Sequence, residues 1–440
     1  MDGSTSRFPT RDNDLLLPAG ARLFHIGPHK TGTTALQGAA AARRQQLLEC
    51  GVLYPGRTFN QRIAISAFMG KGLGWNVDAA KPVRSPPHRH WRALLREMEH
   101  ERERRVLFGH ETASGASDEH ISDWARHLGP RLHVVLTLRA YNRMLPSLWQ
   151  ETLKRGGGRR EFDRWLRRVV RLADPEASGR PLRLDHAGQV RRWTEQLGPR
   201  NVTVVVLDPG DQAFMFHAFE DLLGLPVGLL ASASPVDHTV NRSMSATEAE
   251  LFRRLNLATR EAGLEFANHE WLNYDGAIRR VINLRTPGPR EPRLELPAWA
   301  VEAGHGEEIR IVTTINQTGV TVIGDTANLL SRENPQSSRQ VDHRAIESVP
   351  MDLAVTALMG VIARSTGRDP VSLERTAASL ARKFLVDLRH NMSPLAATLG
   401  NRFADEALIR IRRLSRRFVH AERTRPAWRR TPSSSVSESA

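Results

Sequence analysis

Along the first half of the chain, short apolar runs alternate with longer stretches in which apolar residues recur at helical spacing. The runs Ala21–Ile26, Arg105–His110, Leu132–Leu138 and Val202–Leu207 are short and largely apolar, and they predict strands. Helical periodicity covers Thr33–Glu49, Trp91–Glu103, Ser117–Leu128, Tyr141–Lys154, Phe162–Ala173, Ala187–Leu197, Gln212–Leu223 and Ser245–Ala262. Ser117 stands where a helix N-cap belongs, with Gly129-Pro130 as the stop. Ser245 and Glu248 have capping-box spacing. Strand and helix alternate, which implies an α/β fold: a parallel sheet flanked by helices.

Other stretches are less regular. Val52-Leu53-Tyr54-Pro55 reads as a short extended segment, and Asn60–Pro87, rich in Gly, Pro and Lys, reads as a loop or lid. Gly156-Gly157-Gly158 is a flexible break. Beyond Glu270 the pattern weakens, apart from Val320–Asp325 as a last strand or turn. Met351–Ala363, Leu373–His390 and Ala404–Phe418 then read as amphipathic helices, and Thr431–Ala440 as a Ser-rich disordered tail. The organisation expected is a flexible lead over 1–19, an α/β domain over 20–335, a mainly helical basic extension over 336–430 and a tail over 431–440.

Composition narrows the classes. The 440 residues carry a formal net charge of +15, mostly through arginine, which points to a partner bearing phosphate, sulfate or carboxylate. A single cysteine, Cys50, excludes an intrachain disulfide and a Cys-based zinc cluster. The histidines show no HExxH-type spacing, so no metal site is expected. Met1–Asp14 lacks a signal-peptide core and no run of eighteen apolar residues occurs, so a soluble cytoplasmic protein is expected.

Chemistry concentrates in Phe24-His25-Ile26-Gly27-Pro28-His29-Lys30-Thr31-Gly32-Thr33-Thr34. A strand, a glycine-bearing turn and a helix opening combine unpaired backbone N–H groups with the positive end of the helix dipole, and so bind anions. Gly27 and Gly32 admit close backbone approach. Lys30 adds a full charge, and Thr31, Thr33 and Thr34 add hydroxyls. Lys30 precedes the second glycine, whereas a Walker A lysine follows it, so that pattern fails. A dinucleotide Gly-x-Gly-x-x-Gly is absent after this strand.

Pro28-His29-Lys30-Thr31-Gly32-Thr33-Thr34 resembles the 5′-phosphosulfate loop of the PAPS-dependent sulfotransferases, commonly Pro-Lys-x-Gly-Thr-Thr. A second anchor follows the strand Leu132–Leu138: Arg139 and, eight residues later, Ser147 match the family's 3′-phosphate site in type and spacing. Arginine offers a planar fork of donors to such a phosphate, and a serine two turns along the next helix adds another. Arg143, one turn after Arg139, reads as a solvated surface charge. The likeness covers about residues 20 to 225, and suits the bacterial, heparan-sulfate-sulfotransferase-like branch.

That resemblance implies a P-loop-like sheet, PAPS as sulfuryl donor, His29, Lys30, Thr31, Gly32, Thr33, Thr34, Arg139 and Ser147 as cofactor-binding residues, and no metal. Lys30 is then also a catalytic cation at the leaving phosphate. The family's base, a histidine or a glutamate, ends the second core strand, where this chain has Phe108-Gly109-His110-Glu111-Thr112. Glu111 is preferred and His110 is the alternative, with strand alternation allowing only one to face the donor. The acceptor implied is a hydroxyl or amine of a carbohydrate, glycolipid or small metabolite.

Two other readings stay open. One is a P-loop-related kinase, weakened by the misplaced lysine and by Asp208 standing before Pro209. The other is a non-enzymatic protein acting through the basic segment Arg410–Arg430, which suits peripheral membrane contact, non-specific nucleic-acid binding or a solvated packing helix. No specific nucleic acid is expected.

Overall fold

The computed structural model describes residues 14–74, 83–171, 182–233, 242–331 and 346–366. The chain divides into two compact units, Met1–Phe266 with Glu291–Ala345, and Ala267–Arg290 with Ile346–Ala440. Strands β1 (Arg22–Gly27), β2 (Val52–Leu53), β3 (Arg105–Gly109), β4 (Leu132–Leu138), β5 (Val202–Val206) and β6 (Thr321–Ile323) form one sheet in the first unit. Its order is β2-β3-β1-β4-β5-β6 and every pairing is parallel.

The helices are α1 (Thr33–Ala42), α2 (Arg44–Glu49), α3 (Arg62–Phe68), α4 (Arg89–His100), α5 (Asp118–Leu128), α6 (Tyr141–Lys154) and α7 (Phe162–Arg171). There follow α8 (His186–Leu197), α9 (Phe214–Leu223), α10 (Ala246–Glu261), α11 (Phe266–Asn268), α12 (Arg279–Leu284), α13 (Ala298–Thr318) and α14 (Met351–Thr366). The capping boxes at Ser117 and Ser245 are both formed.

Both faces of the sheet are covered, which is why β1, β4 and β5 are buried along their whole length. Alternate side chains serve opposite faces. On one face Phe24 and Phe108 stack with centroids 4.6 Å apart. They lie in an aromatic cluster with Trp124 of α5 and Trp193 of α8, closed by Phe68 of α3 and Trp91 of α4. On the other face Leu23, Leu107, Val135 and Val205 pack with Leu36 and Ala40 of α1, Leu47 of α2, and Phe219 and Leu222 of α9. Each such buried Leu, Val or Phe side chain contributes roughly 1.5–3 kcal/mol.

Three sequence expectations need correction. The helix over Thr33–Glu49 breaks at Arg43, whose backbone leaves helical geometry (φ −105°, ψ 16°). Part of the expected loop Asn60–Pro87 is α3, held because Phe68 completes the aromatic cluster. The weakly patterned region after Glu270 contains α13, whose buried positions include Gly304, Glu307 and Glu308 beside Ile311 and Ile315, so no apolar stripe announces it. Val320–Asp325 does hold a last strand, β6.

In the second unit a π-helical stretch, His269–Ile278, packs on α14 at a pair of glycines. A Cβ at Gly276 would lie 3.0 Å from the Gly360 carbonyl oxygen. The Arg364 guanidinium lies over the Trp271 ring, and Arg285 pairs with Asp352 at 3.0 Å. The expected helices Leu373–His390 and Ala404–Phe418, the basic segment Arg410–Arg430, the tail and the boundary near 335 lie outside the described residues. Among the described residues, no helix is long and apolar enough to cross a membrane.

Candidate functional site

Neighbouring strands β1 and β4 send their following segments to opposite sides of the sheet, which opens a crevice at their C-terminal ends. At the end of β1 the register against β4 shifts between His25 and Gly27, and the chain enters the glycine-bearing loop. Gly27 (φ 87°), Lys30 (φ 69°) and Gly32 (φ 84°) all take left-handed backbone. Lys30 is the one non-glycine residue to do so among the described residues, at a cost on the order of 1 kcal/mol. A Cβ at Gly27 would lie 3.0 Å from Glu111 Cβ, so this glycine lets the loop press against the turn after β3.

Beneath the loop runs a chain of buried hydrogen bonds. The Thr31 hydroxyl donates to the Pro28 carbonyl at 2.7 Å, so Thr137 Oγ1, 2.7 Å away, donates to Thr31. His25 Nε2, 3.0 Å from Thr137 Oγ1, must then donate to Thr137. That direction requires a proton on His25 Nε2. Burial, with His110 adding to it, lowers the His25 pKa to about 3. Thr31 thus braces the loop from within, whereas the Thr33 hydroxyl is buried without a hydrogen bond and Thr34 is exposed.

From β4, Arg139 reaches back to the loop: Nη1 donates to the Lys30 carbonyl at 3.4 Å and Nη2 to the Arg143 carbonyl at 3.2 Å. Arg143 itself is exposed. Ser147 is half-buried on α6, one turn before Glu151. Glu151 Oε2 lies 3.6 Å from Lys30 Nζ, and Glu151 Oε1 accepts from Arg155 Nε at 3.0 Å. Burial alone would raise the Glu151 pKa, but Lys30, Arg155 and Lys154 outweigh it and hold the carboxyl below its ordinary range. Burial, then Lys30, lower Lys154 to about 8.

The strand expected to run through His110 and Glu111 ends at Gly109, and Glu111–Gly115 forms a 3₁₀ turn. Strand alternation therefore no longer separates the two side chains. His110 Nδ1 accepts from the Thr112 N–H at 3.1 Å, so the neutral ring carries its proton on Nε2, 3.4 Å from Glu111 Oε2. Burial, reinforced by Arg62, Arg155 and Lys71, lowers His110 to about 3. Burial, only partly offset by Glu111, likewise lowers His29 to about 4, so its 3.9 Å approach to Glu111 Oε1 is not an ion pair. Glu111 is 8% exposed, with Arg155 Nη2 3.9 Å from Oε1 and Oε2 lacking a hydrogen bond.

Lys30, His29, Glu111, His110 and Arg139 thus meet around one crevice, joined by Glu151 and Arg155. Compared with protein-family models, curated proteins and solved structures, the chain matches none. Sequence reasoning missed Glu151, Arg155, His25 and Thr137. A signal for the first two existed: Arg143, Ser147, Glu151 and Arg155 recur every fourth residue, a single stripe along α6 and its C-cap.

Proposed function

We propose that the chain is a sulfotransferase that moves a sulfuryl group from PAPS to a hydroxyl or amine of a carbohydrate, glycolipid or small metabolite. One observation carries this reading: the ends of adjacent strands β3, β1 and β4 bring a carboxylate, a lysine loop and an arginine to one crevice. The residues fit a donor that is anionic at two points. The Thr33 hydroxyl is buried and unbonded in the first turn of α1, where backbone N–H groups also lack helical partners. Lys30 and Arg139 add full charge on either side.

PAPS supplies a sulfuryl group already activated on a phosphosulfate anhydride. Lys30, Gly32, Thr33, Thr34 and the first N–H groups of α1 would hold its 5′ end, with His29 beside them, and Arg139 and Ser147 its 3′-phosphate. Thr31 acts from behind, through its hydroxyl brace. Glu151 pairs with Lys30 at 3.6 Å, and Lys30 would stabilise charge developing at the leaving oxygen of a bound donor. Glu111 Oε1, on the Arg155 side, takes the acceptor's proton, with the neutral His110 ring beside Oε2 at 3.4 Å. No metal enters this scheme.

Titration calorimetry with adenosine 3′,5′-bisphosphate tests the reading. Wild type is expected to bind it, with Lys30→Ala and Arg139→Ala each weakening binding by about tenfold or more. A wild-type protein with no affinity for it overturns the proposal.

A further inference from the structure

Helix α13 carries a carboxylate that takes no direct part in holding the donor. Glu308 is fully buried, which is costly for a charged group unless its oxygens are bonded. Three donors meet that need. The Asn142 N–H donates to Oε1 at 2.9 Å, the Ser331 hydroxyl to Oε1 at 2.7 Å and the Ser331 N–H to Oε2 at 2.7 Å. His305 Nδ1, on a half-exposed ring, lies 3.5 Å from Oε2.

Asn142 is the second residue of α6, so its N–H is one of the donors that a helix cannot bond within itself. Such donors are commonly met by the side chain just before the helix, but here that residue is Ala140, which offers none. Glu308 supplies the acceptor from 166 residues away, and its charge suits the positive end of the helix dipole. Helix α13 holds the same residue a second time: the Asn142 side-chain amide donates to the Val301 carbonyl at 2.9 Å. A Cβ at Gly304 would fall on that amide, so the glycine lets α13 close on it.

The next residue is Arg143, whose carbonyl accepts from Arg139 Nη2 at 3.2 Å, while Arg139 Nη1 donates to the Lys30 carbonyl. A guanidinium is planar, so two carbonyls suffice to set its plane. One of them sits in the turn that Glu308 holds. We propose that Glu308 is a positioning residue for the 3′ end of the donor. Through Asn142 it fixes the first turn of α6, and through the Arg143 carbonyl it sets the plane of Arg139. Glu308 has this role on the sulfotransferase reading, in which Arg139 binds the 3′-phosphate.

The test compares the affinity of the full-length protein for adenosine 3′,5′-bisphosphate and for adenosine 5′-phosphate, which lacks only the 3′-phosphate. Glu308→Leu removes both acceptors at similar volume. It should weaken bisphosphate binding by about fivefold or more and leave 5′-phosphate binding unchanged. Glu308→Gln keeps one oxygen for the Asn142 N–H and should retain most of the bisphosphate affinity. In an Arg139→Ala background, Glu308→Leu should cost nothing further. Glu307→Leu breaks the neighbouring pair with Arg310 on the same helix and should lower the urea midpoint without changing the ratio of the two affinities. Should Glu308→Leu fail to fold, Gly304→Ala decides, since its Cβ displaces Asn142 while leaving Glu308 in place. Unchanged bisphosphate affinity in the deciding variant, an equal loss for both nucleotides, or a full further loss on top of Arg139→Ala overturns the role of Glu308. Wild type that binds the bisphosphate no more tightly than the 5′-phosphate overturns the assignment of Arg139, and wild type that does not bind the bisphosphate overturns the donor reading.

Discussion

The loop after β1 and the turn after β3 meet at Gly27 and Glu111, yet they are held by different forces. Under the loop, His25, Thr137 and Thr31 form a neutral, one-directional run of hydrogen bonds ending on the Pro28 carbonyl. Around the turn, Glu111 lies 3.9 Å from Arg155 with one buried oxygen unbonded, and Arg62, Arg155 and Lys71 act on the neighbouring His110. Neutral bonds fix a shape without attracting a ligand's charge. An under-bonded carboxylate beside cations does the opposite: on the proposed reading, its contacts are left for the reaction. The crevice thus has one wall braced for position and one that, on the proposed reading, carries the chemistry.

That division is broken first by removing charge from the chemical wall. Glu111→Gln keeps the side-chain volume and should lower turnover by roughly 10²–10⁴-fold. It should leave the affinity for adenosine 3′,5′-bisphosphate and the urea midpoint nearly unchanged, because Glu111 accepts no side-chain hydrogen bond. Calorimetry, turnover and denaturation on one preparation decide it. Retained turnover would move the base to His110.

Acid sharpens the comparison next. His25 and His110 have folded pKa values near 3, against 6.5 in the unfolded chain. The unfolded state therefore binds more protons below pH 6.5, and the stability held by the neutral rings is present above that pH and lost as pH falls toward 3. Each ring should cost about 2 kcal/mol between pH 7 and pH 5, from 1.4 kcal/mol per pH unit below 6.5. His25→Gln should lose correspondingly less of its urea stability over that interval. Its losing as much as wild type would falsify the neutral His25 assignment.

The sequence makes the positional wall's ends visible and hides its middle. Gly27, Lys30 and Gly32 stand out because a glycine-bearing turn between a strand and a helix is a recognisable pattern. Arg139 stands out by its place after an apolar run. Thr137, two residues earlier, looks like an ordinary strand threonine, and His25 like a stray polar residue in β1. Their partnership depends on pairing β1 beside β4, and strand order is a long-range property that periodicity does not encode. The same holds for Asn142 and Glu308, 166 residues apart in the chain and brought together only where α6 meets α13. Strands and amphipathic helices with ordinary patterns, such as β4 and α6, are legible. The long helix α13 is not, because its buried side includes glycine and paired carboxylates: Glu308 bonds the Asn142 N–H and Ser331, and Glu307 bonds Arg310.

The smallest effect probes the positional wall directly. Thr137→Val keeps shape but removes the hydroxyl that accepts from His25 and donates to Thr31. It leaves one buried donor unsatisfied, a loss of about 1–2 kcal/mol. Thr31 still donates to the Pro28 carbonyl, so the loop loosens without collapsing. The consequence should therefore be shared between stability and donor affinity: a lower urea midpoint and severalfold weaker binding of adenosine 3′,5′-bisphosphate. Glu111→Gln should move neither quantity. If Thr137→Val lowers stability but leaves that binding intact, the brace supports the fold alone and the two walls are not divided as argued. If both fall together, the loop's shape, and not only its charge, sets the donor's place.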